Sequence, residues 1–346
     1  METPNFSLFS RLSPVLVLFL LNPLYAENGF LHTECIDGSY RMIAEQRYKE
    51  ASQFLSRKYK DKECEFDAEF GRLLLDQTRM MDYESYVIYG EKYLEKAQKF
   101  IGRIQNKYKG CSSDDSLKYM FYEGNVLGSI GVVFAKTGSW VRAASPSIKS
   151  VKLLKKVKER EPDAVLPNYG VGLFRYYMGN SISWFSSMRD KADRGIKMID
   201  SVSEFGIYPF NLAAKHSLAW IMIEQDDYRK ARSIVDDVLK ILPENTIFLR
   251  IKARIHLWTQ EYESAVESGK RLAKRSLARD PVNWSDLISG LQIQSVALYE
   301  LERYTDTRNV INRALSFSIP KEYSEIEYVE KYLESIKEIQ GKIEEG

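Results

Sequence analysis

The chain has 346 residues, 44% of them hydrophobic and 28% charged, a balance that fits a folded protein of one or two domains and excludes a disordered polyelectrolyte. Lys and Arg number 50 against 48 acidic residues, and the net charge of +2 is too weak a field to recruit nucleic acid, so no nucleic-acid partner is expected. With three His and three Cys in all, metal centres and histidine-based catalysis have few residues to draw on.

In chain order, residues 1–26 read as a secretory signal peptide. A short segment carrying Arg11 leads into the apolar run 12–21; Asn22-Pro23 breaks it, and Leu24-Tyr25-Ala26 ends on a small residue before Glu27-Asn28. That is the pattern of cleavage after Ala26. The apolar run is well short of the roughly 20 residues a spanning helix needs. The mature chain is therefore expected in the periplasm or at the outer membrane of a bacterium. Export permits disulfides, and two readings stand for the cysteines Cys35, Cys64 and Cys111. Cys35 and Cys64 bond and bracket the first helix pair, or all three are reduced and pack as small apolar residues.

Residues 27–165 read as degenerate helical repeats. Tyr48 with Ala51, Tyr93 with Ala97, and Leu127, Gly131, Phe134, Trp140 with Ala143 space an aromatic and a small residue as two closely crossing helices require. The run Lys149, Lys152, Lys155, Lys156, Lys158 and Arg160 shares one helix with Val151, Leu153, Leu154 and Val157. It is the solvated face of a packed helix or a surface for membrane or an anionic partner.

Residues 166–206 form a helix pair with an insert. Gly172 holds a small position, but the partner helix at Arg194-Gly195 arrives about eleven residues late for a unit of this kind. The inserted residues 179–189 carry Trp184, Phe185 and Met188, next to Phe174, Tyr176 and Tyr177. This aromatic cluster either plugs the core or forms a patch suited to a peptide or lipid.

Residues 207–324 are regular. Asp227-Tyr228-Arg229-Lys230-Ala231 recurs as Glu261-Tyr262-Glu263-Ser264-Ala265, displaced by 34 positions. Leu218 and Ala219 take the seam of the first unit and Pro243 its stop; Ala253 precedes Tyr262 in the second. Ser295, Tyr304 and Pro320 mark a third, with Thr307 in place of the crossing Ala. Residues 325–346 place Ile326, Val329, Tyr332, Leu333, Ile336 and Ile339 at helical spacing, as a capping helix would.

No catalytic constellation emerges. Gly170-Val171-Gly172 lacks the third glycine of a phosphate loop, no nucleophile elbow is present, and His216 and His256 fall at structural positions of their repeats. No catalytic, cofactor-binding or metal-binding residue is expected.

The 34-residue echo, with its aromatic and its Ala at fixed offsets, resembles the tetratricopeptide-repeat superfamily and its exported bacterial members. The interval with Gly170, Gly172, Asp193, Arg194, Gly195 and Gly206 is similar to a subgroup in which a Gly-bearing helix precedes an aromatic insert. The resemblance implies an all-α, right-handed α-solenoid of antiparallel helix pairs and a non-enzymatic adaptor or scaffold for a protein or peptide partner. In that family the first helices line the inner curve. It therefore implies a binding surface at Tyr169, Arg175, Tyr176, Lys215, Arg250 and Arg254, with Trp184 on the insert. Association with a membrane through Trp184 and Phe185, or carriage of a lipid or small apolar ligand, is the alternative.

Overall fold

The computed structural model describes residues 34–107, 113–180 and 186–345. The signal-like segment, Cys111, Trp184 and Phe185 lie outside the described residues. Among those described the protein is all-helical, with sixteen helices and no strand. They are α1 (Asp37–Ala44), α2 (Tyr48–Lys58), α3 (Glu65–Asp82), α4 (Tyr86–Lys107), α5 (Ser113–Lys136), α6 (Trp140–Arg160), α7 (Pro167–Asn180) and α8 (Ser186–Phe205). The second half holds α9 (Phe210–Glu224), α10 (Tyr228–Ile241), α11 (Thr246–Trp258), α12 (Tyr262–Leu277), α13 (Trp284–Glu300), α14 (Tyr304–Leu315), α15 (Lys321–Ser324) and α16 (Glu327–Glu345). No described helix is long and apolar enough to cross a membrane.

One local device recurs six times. The links α1–α2, α3–α4, α5–α6, α9–α10, α11–α12 and α13–α14 each put their middle residue at positive φ: Gln46, Glu84, Gly138, Asp226, Gln260 and Glu302. The next amide closes back on the helix just ended, as in Asp227 N–H to Met222 O at 2.8 Å and Glu261 N–H to His256 O at 2.8 Å. This is the Schellman ending, which satisfies carbonyls left open at a helix C-terminus. Two residues past each positive-φ position an aromatic starts the next helix: Tyr48, Tyr86, Trp140, Tyr228, Tyr262 and Tyr304. Three residues later a small side chain is buried at Ala51, Ala143, Ala231, Ala265 and Thr307. The second unit fits the pattern more loosely. Its link is centred on Glu84, its second helix starts at Tyr86, and Tyr89 stands where the other units bury a small residue; Tyr93 and Ala97 are both buried further along the same helix.

Packing follows the chain: from α1 to α14 every helix packs on the next, and α16 packs on α13 and α14, burying Val329, Ile336, Ile339 and Ile343. One contact breaks this order. The link Tyr83, Glu84, Ser85 and the end of α3 meet α11, α13 and α16 across 164 to 244 residues of sequence. Thr246 Oγ1 donates to Asp82 Oδ1 at 2.7 Å, Asn283 Nδ2 to the Asp82 carbonyl at 3.1 Å, and Tyr83 Oη to the Pro281 carbonyl at 3.1 Å. The Tyr328 hydroxyl lies 2.8 Å from the Glu84 carbonyl oxygen. Beside this seam, Asn245 Nδ2 donates to the Ala44 carbonyl at 3.1 Å. The cysteine alternative resolves as a Cys35–Cys64 disulfide, with Cα atoms 5.2 Å apart, bracketing α1 and α2.

Candidate functional site

The α7–α8 crossing is built on two glycines. A Cβ on Gly172 would lie 2.8 Å from the Gly195 carbonyl oxygen, and one on Gly195 would lie 2.7 Å from the Gly172 carbonyl oxygen. Real side chains do not approach so closely, so backbone touches backbone here and only glycine fits. The late arrival of Gly195 in the sequence therefore leaves the crossing intact.

Beside this crossing, α6, α7 and α8 border an open cavity of about 380 Å³ lined by Val151, Lys155, Phe174, Arg175, Met178, Lys191 and Arg194. Helical spacing explains the set. Val151 and Lys155 stand four apart on α6, Phe174 and Met178 four apart on α7, and Lys191 and Arg194 three apart on α8, so each pair shares a helix face. Among the described residues three linings are apolar, four are cationic, and none is a carboxylate. Arg175 Nη1 donates to Met198 Sδ at 3.2 Å, a weak acceptor, and Arg194 Nε donates to its own helix at the Asp190 carbonyl, 3.2 Å away. Among the described residues neither Arg175, Arg194 nor Lys155 makes an ion pair.

The second cation-rich place is the seam at Asp82. Asp82 is fully buried; Arg279 Nη1 reaches its Oδ2 at 2.6 Å and Tyr48 Oη donates to the same oxygen at 2.8 Å. Arg250 spans the seam, bonding Asp286 Oδ1 at 3.0 Å, Glu84 Oε1 at 3.1 Å and the Met81 carbonyl at 3.2 Å. Three carboxylates thus face two guanidinium groups, with Asp82 and Asp286 fully buried and Glu84 half-sheltered. Burial, with Asp82 and Glu84 close by and only partly opposed by Arg250, pushes the Asp286 carboxyl up to about 7.

The residues proposed from sequence divide between these places and the core. Arg175 lines the α6–α8 cavity, together with Phe174 of the aromatic cluster and Lys155 of the basic run. Tyr169 is bonded at 3.1 Å to Ser217, and Tyr176 is buried and donates to Glu224 at 2.9 Å. Lys215 is half-buried on α9; the hydrogen bond from Lys240 chiefly holds the Asp237 carboxyl down, and the charge of Lys215 adds slightly to that lowering. Arg250 is in the Asp82 seam; Arg254, also buried, bonds Gln292 and Ser289 at 2.9 Å each and lies 4.2 Å over the Tyr332 ring. Both arginines are thereby occupied inside the molecule. Trp184 lies outside the described residues. Met178, Lys191 and Val151 join the cavity without having been singled out, and their i,i+3 and i,i+4 spacing to Arg194, Phe174 and Lys155 is the signal that marks them.

The histidines sit in internal contacts. Trp220 Nε1 donates to His216 Nε2 at 3.1 Å, and burial pushes His216 down to about 3, so it stays neutral. His256 Nδ1 lies 2.9 Å from Ser268 Oγ, its pKa also lowered by burial. A comparison with protein-family models finds no match, and a comparison with curated proteins likewise finds none.

Proposed function

We propose that this chain is an exported, non-enzymatic helical-repeat protein that carries a small ligand in the cavity between α6, α7 and α8. The observation that carries the reading is a cavity of ligand size with apolar walls, where Lys155, Arg175 and Arg194 pair with no carboxylate among the described residues. The link and aromatic that recur six times, with a small buried residue in five of the units, support a tetratricopeptide-like, right-handed solenoid of antiparallel helix pairs. The Cys35–Cys64 bridge, beside the signal-like segment, supports a periplasmic or outer-membrane location. An adaptor holding an extended protein segment is less well supported, since the α11 and α13 positions that would serve it, Arg250 and Arg254, are bonded internally.

Native mass spectrometry of the full chain expressed for export tests this. The expected species begins at Glu27 and carries additional non-protein mass that is lost in Phe174→Asp. A chain that keeps residues 1–26 refutes export, and a folded, ligand-free chain refutes the carrier reading.

A further inference from the structure

The α6–α8 cavity mixes two chemistries that no single simple ligand class satisfies alone. Val151, Phe174 and Met178 offer apolar contact, and Met178 is 48% exposed although it is large and hydrophobic. Covering such surface releases free energy in proportion to the area removed from water. Lys155, Arg175, Lys191 and Arg194 bring positive charge to the same space from three different helices. Like charges gathered at one cavity with apolar walls raise each other's energy, and a bound anion relieves every pair at once. Arginine adds a planar fork that matches the oxygens of a carboxylate or phosphate.

A purely inorganic anion would leave the apolar lining wet, and a hydrocarbon would leave Lys155, Arg175 and Arg194, which make no ion pair among the described residues, without a counter-charge. A polyanion is disfavoured by scale: the cavity sits near the lower end of the roughly 300–1,000 Å³ range of small-molecule sites, and the chain as a whole is nearly neutral. We infer that the α6–α8 cavity binds a single-chain anionic amphiphile, an alkyl tail bearing a carboxylate or phosphate head. This rests on the reading of the cavity as the carrier site. The charged head pairs with Arg175, Arg194 and Lys155, and the first methylenes of the tail lie against Phe174, Met178 and Val151.

Titration calorimetry of the full chain, with all probes below their micellar concentrations, decides the matter. Dodecanoate and dodecyl phosphate are expected to bind, with dodecanol and inorganic phosphate each weaker by about ten-fold or more. The paired variant Lys155→Ala with Arg175→Ala is expected to lose about ten-fold for the anionic probes only, with its circular dichroism melt showing that it remains folded. Equal binding of dodecanol overturns the anionic head but leaves the carrier reading standing. Equal binding of inorganic phosphate overturns the amphiphile. No binding of any amphiphile by folded, delipidated protein overturns both readings. A vesicle arm separates the source of the head group: sedimentation with phosphatidylglycerol vesicles, in the absence of any free-probe binding and unchanged by Phe174→Asp, assigns the basic face to a membrane surface and overturns the cavity seat.

Discussion

The Asp82 seam and the α6–α8 cavity gather the same kind of side chain to opposite ends. At the seam, Arg250 and Arg279 are buried and meet Asp82, Glu84 and Asp286, carboxylates supplied from helices far apart in sequence. At the cavity, Arg175, Arg194 and Lys155 pair with no carboxylate among the described residues. An arginine on a repeat helix is therefore not a binding residue by position. It becomes one where the fold withholds its counter-charge, and it is mortar where the fold supplies one.

Breaking the seam should have the largest effect. Asp82→Ala leaves Arg279, whose side chain is 8% exposed, facing Tyr48 and Tyr83 without its anion, a change that costs about 3–5 kcal/mol when a buried pair loses one partner. Urea unfolding should register that loss, whereas Lys155→Ala at the cavity should stay within about 0.5 kcal/mol. Similar losses at both places would erase the contrast.

The seam should also be visible as a pH dependence. An unfolded aspartate gives up its proton near pH 4, while Asp286 in the folded cluster keeps its proton up to about 7. Between those values the folded chain binds a proton that the unfolded chain does not, so this group's contribution falls as pH rises, by at most about 1.4 kcal/mol per unit. Asp286→Asn should remove that part of the slope. If urea midpoints of the two proteins run parallel from about pH 4 to 7, Asp286 carries no such proton.

At the cavity the sensitive point is the backbone crossing. Gly172→Ala puts a methyl group 2.8 Å from the Gly195 carbonyl, and because backbone cannot turn aside, α7 and α8 must separate. A loss of about 1–3 kcal/mol is expected, as for overpacked cores, together with loss of amphiphile binding. The pH slope of the seam should be unchanged, and a change there would mean that the two regions are coupled.

What could be read in the sequence was what local chemistry imposes. Tyr228 with Ala231, Tyr262 with Ala265, Tyr48 with Ala51 and Trp140 with Ala143 were legible because a tight link and a close crossing constrain residues a few positions apart. The second unit was less legible because Tyr89 stands where the other units bury a small residue. The seam was hidden for a different reason: Asp82 meets Thr246, Arg279 and Asn283 at separations with no period, and Arg250 reads locally like any polar residue on a first helix. Only the buried polar residues of α13, Asp286 and Gln292 among them, hint that something polar must arrive to satisfy them. The cavity was half legible. Phe174, Arg175 and Lys155 drew notice separately, but nothing in the spacing said that α6 and α8 close on the same side of α7.

The smallest effect expected is also the most discriminating, because one substitution should act with opposite sign at two links. Gln260 and Glu84 are both L-residues held at positive φ, 58° and 51°, a conformation that costs a side-chain-bearing residue roughly 1–2 kcal/mol. Glycine relieves this at either site while also loosening the unfolded chain. Gln260 is exposed and its side chain makes no hydrogen bond, so Gln260→Gly should stabilise by about 0.5–1 kcal/mol. Glu84 holds Arg250 at 3.1 Å and accepts from the Tyr328 hydroxyl at 3.0 Å. Glu84→Gly strips both bonds from a half-sheltered charge and should destabilise despite the relieved backbone, because a charge-assisted bond is worth more than the strain. Chemical unfolding of the two variants side by side checks this. A gain in both would show that the α3–α4 link is an ordinary turn and that the closure of the chain on itself does not depend on it.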